Sequence, residues 1–184
     1  MANVDGARGL QPVTSPYGTI RANLYPITVA YGTSLFRGDP ILQVTAGTVE
    51  IASTGTCLGA AIGFFDVNYT PINYYVASTA TQAYVLVADD PNQEFWAQED
   101  SDGGSLAVGQ LFGNLDLLAG TGSSVTGESR YELDSSTLNT TATLGFKVVR
   151  LHVVQGNAVG TNAKWVVQMN YSQRATGSLS VGLS

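Results

Sequence analysis

Cysteine is almost missing from this chain of 184 residues: Cys57 stands alone, so no intrachain disulfide can form. Charge is scarce as well. Asp, Glu, Lys and Arg make up 12% of the residues, about half the usual quarter, and the net charge is −6. No basic residue occurs between Arg37 and Arg130. Nucleic-acid binding draws most of its affinity from Lys and Arg on phosphates, so this balance argues against it, and a partner for the middle section is expected to be neutral or basic. The single histidine, His152, has no second histidine or nearby cysteine to help it hold a metal. No stretch approaches the roughly 18 uninterrupted apolar residues of a membrane span, and MANVDGARGL lacks the apolar core of a signal peptide. The expectation is synthesis in a cytosol, with no membrane association and no need of an oxidising compartment.

What is present is an apolar share of 44%, enough for one compact domain, together with 21 Gly and many Ser and Thr. Such a surface is kept soluble by neutral polar groups or is hidden in contacts. The clearest folding signals lie between Tyr84 and Asp102. Tyr84 to Ala88 is a short β-branched and aromatic run that stops at Asp89-Asp90-Pro91, where Pro91 fixes φ and cannot donate to a sheet ladder. Phe95 and Ala97 then alternate with Trp96 and Gln98, and the two runs together read as a β-hairpin.

Similar short strands recur along the chain. Leu24 to Tyr31 is one, with Pro26 demoting its start to an edge or a bulge. Ile41 to Val44 and Val49 to Ile51 follow, and then the most apolar segment, Cys57 to Phe65, in which Gly59 and Gly63 suggest a bent or closely packed central strand. Asp66 to Gln82 reads as a loop rich in Tyr and Asn, one or two short strands lie in Leu106 to Leu118, and Ala119 to Ser129 is a Gly, Ser and Thr loop. Leu144 to Val153 and Trp165 to Asn170 pair back on each other. No segment has both the apolar period and the caps of a helix. The fold class is all-β: a compact small β-barrel or sandwich body over residues 23–171, an extended N-terminal arm over 1–22 rich in Gly and Pro, and a polar C-terminal tail over 172–184.

No constellation points to catalysis. Cys57 sits in an apolar run and reads as a buried, inert thiol, and His152 lies inside a strand. Glu99-Asp100-Ser101-Asp102-Gly103 resembles a calcium loop superficially, yet the closing glutamate is missing at the required distance, so an acidic solvated turn is the better reading. There is no nucleophile elbow and no phosphate-binding loop. Neither an enzyme nor a cofactor is expected. The candidate contact residues are amphipathic or basic: Arg8, Tyr17 and Arg21 in the N-terminal segment, Tyr69, Tyr74 and Tyr75 in the Tyr-rich loop, and Trp96.

The segments GTSLFRGDPILQV, LGAAIGFFDV, STATQAYVLVADDPNQEFWAQED, LDSSTLNTTATLGFKVVRL and GTNAKWVVQMN together resemble a family of tailed-phage virion proteins that decorate or cement the capsid. The resemblance covers most of residues 24 to 173. It implies a β-rich body that forms a homotrimer on the outer capsid surface, with the major capsid protein as partner and no catalytic residues. The alternatives are a receptor- or glycan-binding head fibre, in which Tyr69, Tyr74, Tyr75 and Trp96 would stack on sugars, and a polysaccharide-acting enzyme, against which the lack of a plausible carboxylate pair counts.

Overall fold

The computed structural model describes residues 3–14, 18–53 and 56–174. Thirteen strands run through them: β1 (Gln11–Thr14), β2 (Asn23–Pro26), β3 (Pro40–Gln43), β4 (Val49–Ile51), β5 (Gly59–Phe65), β6 (Pro71–Ile72), β7 (Tyr84–Ala88), β8 (Glu94–Gln98), β9 (Asn114–Leu115), β10 (Leu117–Leu118), β11 (Glu132–Leu133), β12 (Phe146–Leu151) and β13 (Lys164–Met169). Among the described residues the only helical pieces are two single 3-10 turns, Val108–Gln110 and Ser135–Thr137. The all-β expectation holds.

The strands build two open antiparallel sheets and a small β10-β11 ribbon. One sheet has the order β1-β8-β13-β12-β9; the other runs β2-β7-β5-β3-β4, with β6 added to β5. Neither closes on itself, so the arrangement is a sandwich and the barrel expectation is corrected. The reason lies in the edges. β2 carries Pro26 and β1 carries Pro12, neither of which can donate to a further strand.

Phe95, Ala97, Phe146, Val148, Trp165, Val167 and Met169 of the first sheet pack against Ala60 and Ala88 of the second, with Leu10, Cys57, Leu115 and Leu133 completing this core. The far face of the second sheet has a core of its own: Ala61, Phe64, Val85 and Val87 are covered by Ile27, Leu35 and Tyr75 from the connecting segments. β5 serves both cores because its side chains alternate, and a bulge between Ala61 and Gly63 turns Phe64 into the second one. Gly59 permits the closest approach, since a β carbon there would lie 2.0 Å from the carbonyl oxygen of Ala88. The closely packed strand expected from Gly59 is therefore real.

Two expectations need correction. Tyr84–Ala88 and Glu94–Gln98 do not form a hairpin: β7 belongs to the second sheet and β8 to the first, and residues 89–93 carry the chain across between them. A corner of this kind buries its polar residues. Asp89, Asp90 and Gln93 are all nearly inaccessible, and the Asp89 carboxylate accepts hydrogen bonds from the Asn23 amide at 2.9 and 3.0 Å and from the Tyr25 hydroxyl at 2.5 Å, and is ion-paired with Arg174.

The described part of the N-terminal segment is likewise not an arm. Leu10 is fully buried, β1 pairs with β8, and the Asn3 side chain is tied to the 158–161 loop through hydrogen bonds to Ala158 and Thr161. Gly and Pro in this segment serve an edge strand, where Pro12 is tolerated, and a tight crossing at Gly9, whose β carbon would sit 2.3 Å from the Gly38 carbonyl oxygen. At the other end, Ser172 to Arg174 lies on the body: Gln173 exchanges hydrogen bonds of 2.7 and 2.9 Å with the backbone of Gln43. The remainder of the expected tail, 175–184, is outside the described residues, as is Tyr17. The Gly59→Ala variant is expected to lose about 3 kcal/mol of stability, read as a fall in melting temperature of roughly 6–12 °C. An unchanged melting temperature would show that the neighbouring strands β5 and β7 can move apart at little cost.

Candidate functional site

The residues singled out for contact fall on separate parts of the surface. Tyr69 is 58% exposed, at φ 60°, on the turn that Asp66 organises by accepting from the Asn68 and Thr70 amides, each at 2.8 Å. Its ring stacks on Tyr84, with centroids 4.8 Å apart. The Tyr84 phenol is held above its ordinary pKa, first by its hydrogen bond with Tyr69. Tyr74, half-buried, stacks on Phe36 at 5.0 Å. Tyr75 is a core residue: it is 1% exposed, joins Leu35 through reciprocal backbone hydrogen bonds, and so leaves the contact set. Tyr75 therefore covers the body from within the Tyr-rich loop, and Tyr69 is the ring of that loop that projects.

Trp96 lies on the outer face of the first sheet, opposite the buried Phe95, as alternation along β8 requires. Its ring is covered from its own chain. His152 stacks on it at 5.6 Å with nearly parallel planes, and the Lys164 ammonium sits 5.6 Å from its centroid. Burial and then the positive charges of Arg150 and Lys164 hold His152 below its usual pKa. Beside them Arg150 pairs with Glu94 at 2.6 Å, so this face is an ordered strip of aromatic and charged groups. Arg8 is exposed and reaches Glu128 at 3.4 Å, while Arg21 is exposed on the connection to β2. The structure does not bring these residues into one site.

The acidic turn gains a partner that spacing along the chain does not reveal. Asp100 and Asp102 meet Asp134, from the loop after β11, with one carboxylate oxygen of each within 4.8 Å of the others. The Ser135 amide and hydroxyl donate to the same Asp100 oxygen at 3.0 and 2.8 Å, and Asp134 caps the following 3-10 turn by accepting from Ser136. These three carboxylates are the described residues best arranged to hold a cation, although donors from the same loops already occupy much of the cluster. Nearby, Glu132 accepts from the Gln98 amide at 3.2 Å. Burial first, and then the charges of Asp5 and Asp100, push its pKa up. Glu99, fully buried, is raised mainly by burial, against the hydrogen bond it receives from the Leu106 amide at 2.7 Å.

Cys57 is buried with its thiol pushed up to about 12 by desolvation, which is the inert thiol expected. Comparison with protein-family models, with curated proteins and with solved structures gave no match.

A carboxylate whose pKa is raised in the fold stabilises the protein most below its unfolded value, and that contribution is lost as pH rises through the folded value. Glu132→Gln should therefore raise the melting temperature at pH 7 and leave it unchanged near pH 4, where the wild-type side chain is protonated. Equal effects at both pH values would mean that charge is not the source of the cost.

Proposed function

We propose that this chain is a structural virion protein that binds the outer surface of a phage capsid and stabilises it, acting as a homotrimer with the major capsid protein as its partner. The observation that carries this reading is the free edge of the second sheet. β2 ends that sheet, and Ile20, Leu24 and Val29 on and beside it are 45%, 42% and 49% exposed. Pro26 limits strand addition at this edge, but its apolar side chains remain a surface for association, and a chain with 12% charged residues has little to screen them with. The resemblance to capsid decoration proteins supports the same reading, and none of the groupings of side chains described above requires a catalytic role.

A second reading, a receptor- or glycan-binding head fibre, is favoured by one observation. Tyr69 projects from the surface and stacks on the half-buried Tyr84, and sugars bind to such rings. Trp96 supports this reading less, because its ring is already covered by His152 and Lys164.

Light scattering should return a trimer mass for the purified protein. Leu24→Lys, at a half-exposed site, should shift that mass towards the monomer and reduce binding to undecorated capsids by at least about tenfold. A monomeric wild type that remains so on concentration removes the trimer. Full decoration by Leu24→Lys removes the edge as the contact, and glycan-array binding that vanishes in Tyr69→Ala establishes the fibre instead.

A further inference from the structure

Asp39 closes the turn from Phe36 that leads into β3, and the Gly-rich loop after β10 lies beside it. A cavity of about 390 Å³ lies at this point, lined among others by Thr33, Phe36, Asp39, Thr121, Gly122 and Tyr131. That volume is within the range of small-ligand sites, roughly 300–1,000 Å³. Asp39, Phe36 and Tyr131 are buried and form its depth, while Thr33 and Thr121 are exposed at its mouth. The loop wall is fixed closely against the body. A β carbon at Gly122 would lie 2.2 Å from the Phe36 ring, and one at Gly120 would lie 2.1 Å from the Arg130 carbonyl oxygen.

No basic side chain among the described residues forms an ion pair with the carboxylate at the bottom. Its neighbours are the Phe36 amide, which donates to it at 2.7 Å, and the Ser129 hydroxyl. The titratable groups facing it are the phenol of Tyr131 and, behind that, of Tyr31. The basic residues close to it in the fold are engaged elsewhere: Arg37 donates to the Thr126 carbonyl at 2.8 Å, Arg130 donates to the Ala7 carbonyl at 3.3 Å, and Arg8 reaches Glu128 at 3.4 Å. No ion pair among the described residues includes Asp39. An ionised carboxylate buried without a cation is costly, and a cation entering the cavity would remove that cost. A neutral ligand would not.

We propose that this cavity binds an organic cation, an alkylammonium or guanidinium group, with Asp39 as its counter-ion and the Phe36 and Tyr131 rings as its apolar flanks. Aromatic rings beside a carboxylate suit such a cation, which brings a charged head on an apolar stem. The protein's net charge of −6 favours the approach of a cation as well. Burial raises Asp39 to about 6, so a bound cation competes with a proton for the same carboxylate. Affinity then falls below that pH by up to roughly tenfold per unit and is level above it. The site is independent of the capsid reading, since a decorating protein and a fibre could each carry it.

The test is an NMR titration of the intact protein at pH 7.5 and pH 4.5 with N-acetyl-lysine methylamide, N-acetyl-arginine methylamide, putrescine and the neutral N-acetyl-norleucine methylamide. Saturable binding of a cation, weaker at pH 4.5 and absent for the neutral compound, is the expected result. Preference for a blocked amino acid assigns the cation to a polypeptide side chain, and preference for putrescine assigns it to a free diamine; both uphold the site. Asp39→Asn should abolish binding. Should that variant not fold, Thr121→Trp at the exposed mouth should block entry with the melting temperature preserved, and the Asp39 carboxyl of the wild type should titrate lower when the cation is bound. Equal binding of the neutral compound, binding retained in Asp39→Asn or in folded Thr121→Trp, or no binding by any cation overturns the proposal.

Discussion

The fold turns on the buried carboxylate of Asp89. The chain leaves one sheet at Ala88 and enters the other at Glu94, so the corner between them fixes how the two sheets face each other. A charge in that position is tolerable only because it is fully used: Asn23 and Tyr25 approach it from the edge strand β2 and Arg174 from the C-terminal segment. Burial and the contact with Asp89 push Tyr25 up to about 12, so its hydroxyl remains a donor at any ordinary pH. Three distant parts of the chain therefore meet on one side chain. Removing the carboxylate would leave Arg174 without its partner and the corner without its anchor, whereas a surface ion pair such as Arg8 with Glu128 contributes little.

Once the corner is set, small side chains determine the spacing. Gly59 lets β5 and β7 close up within the second sheet, Ala60 and Ala88 are the small side chains this sheet offers to the shared core, and the large ones, Phe95, Phe146 and Trp165, are supplied by the first sheet. This asymmetry explains why the second sheet can support another core on its far face. Its inward positions are too small to fill a sandwich by themselves, so Phe64, Val85 and Val87 are free to serve the layer under Tyr75 and Leu35.

Much of this was legible, because strand patterns are local. The pairing of Phe146–Leu151 with Lys164–Met169, the existence of the short strands β3 and β4, the edge position of Pro26 and the close packing at Gly59 all follow from alternation and from the limits on Pro and Gly. What was not legible depends on long-range pairing. A turn such as Asp89-Asp90-Pro91 ends a strand in the same way whether the next strand pairs beside it or crosses to another sheet, and only the later arrival of β13 beside β8 decides the matter. The N-terminal segment was obscured for a similar reason. Leu10 is one apolar residue among Gly and Pro, and its burial comes from a crossing with Gly38 that no local pattern records. Asp134 was missed as a neighbour of Asp100 because it lies on another loop, although its place before Ser135-Ser136 is an ordinary capping signal.

The distribution of charge connects the surface with the interior. Eight Lys and Arg stand against fourteen Asp and Glu, and three of the arginines are committed to Glu128, Glu94 and Asp89 within the molecule. The chain thus spends much of its scarce positive charge on its own fold. Acidic groups remain in excess, and some of them, Asp39 and Glu132 among them, lie where burial makes the negative charge costly. Each is a place where an incoming positive group gains more than it would at an exposed carboxylate, because the charge it neutralises is poorly solvated beforehand. Association through the apolar edge of β2 and attraction of cations to the acidic interior are therefore compatible: the first needs a surface with little charge, and the second needs the remaining charge to be buried and of one sign.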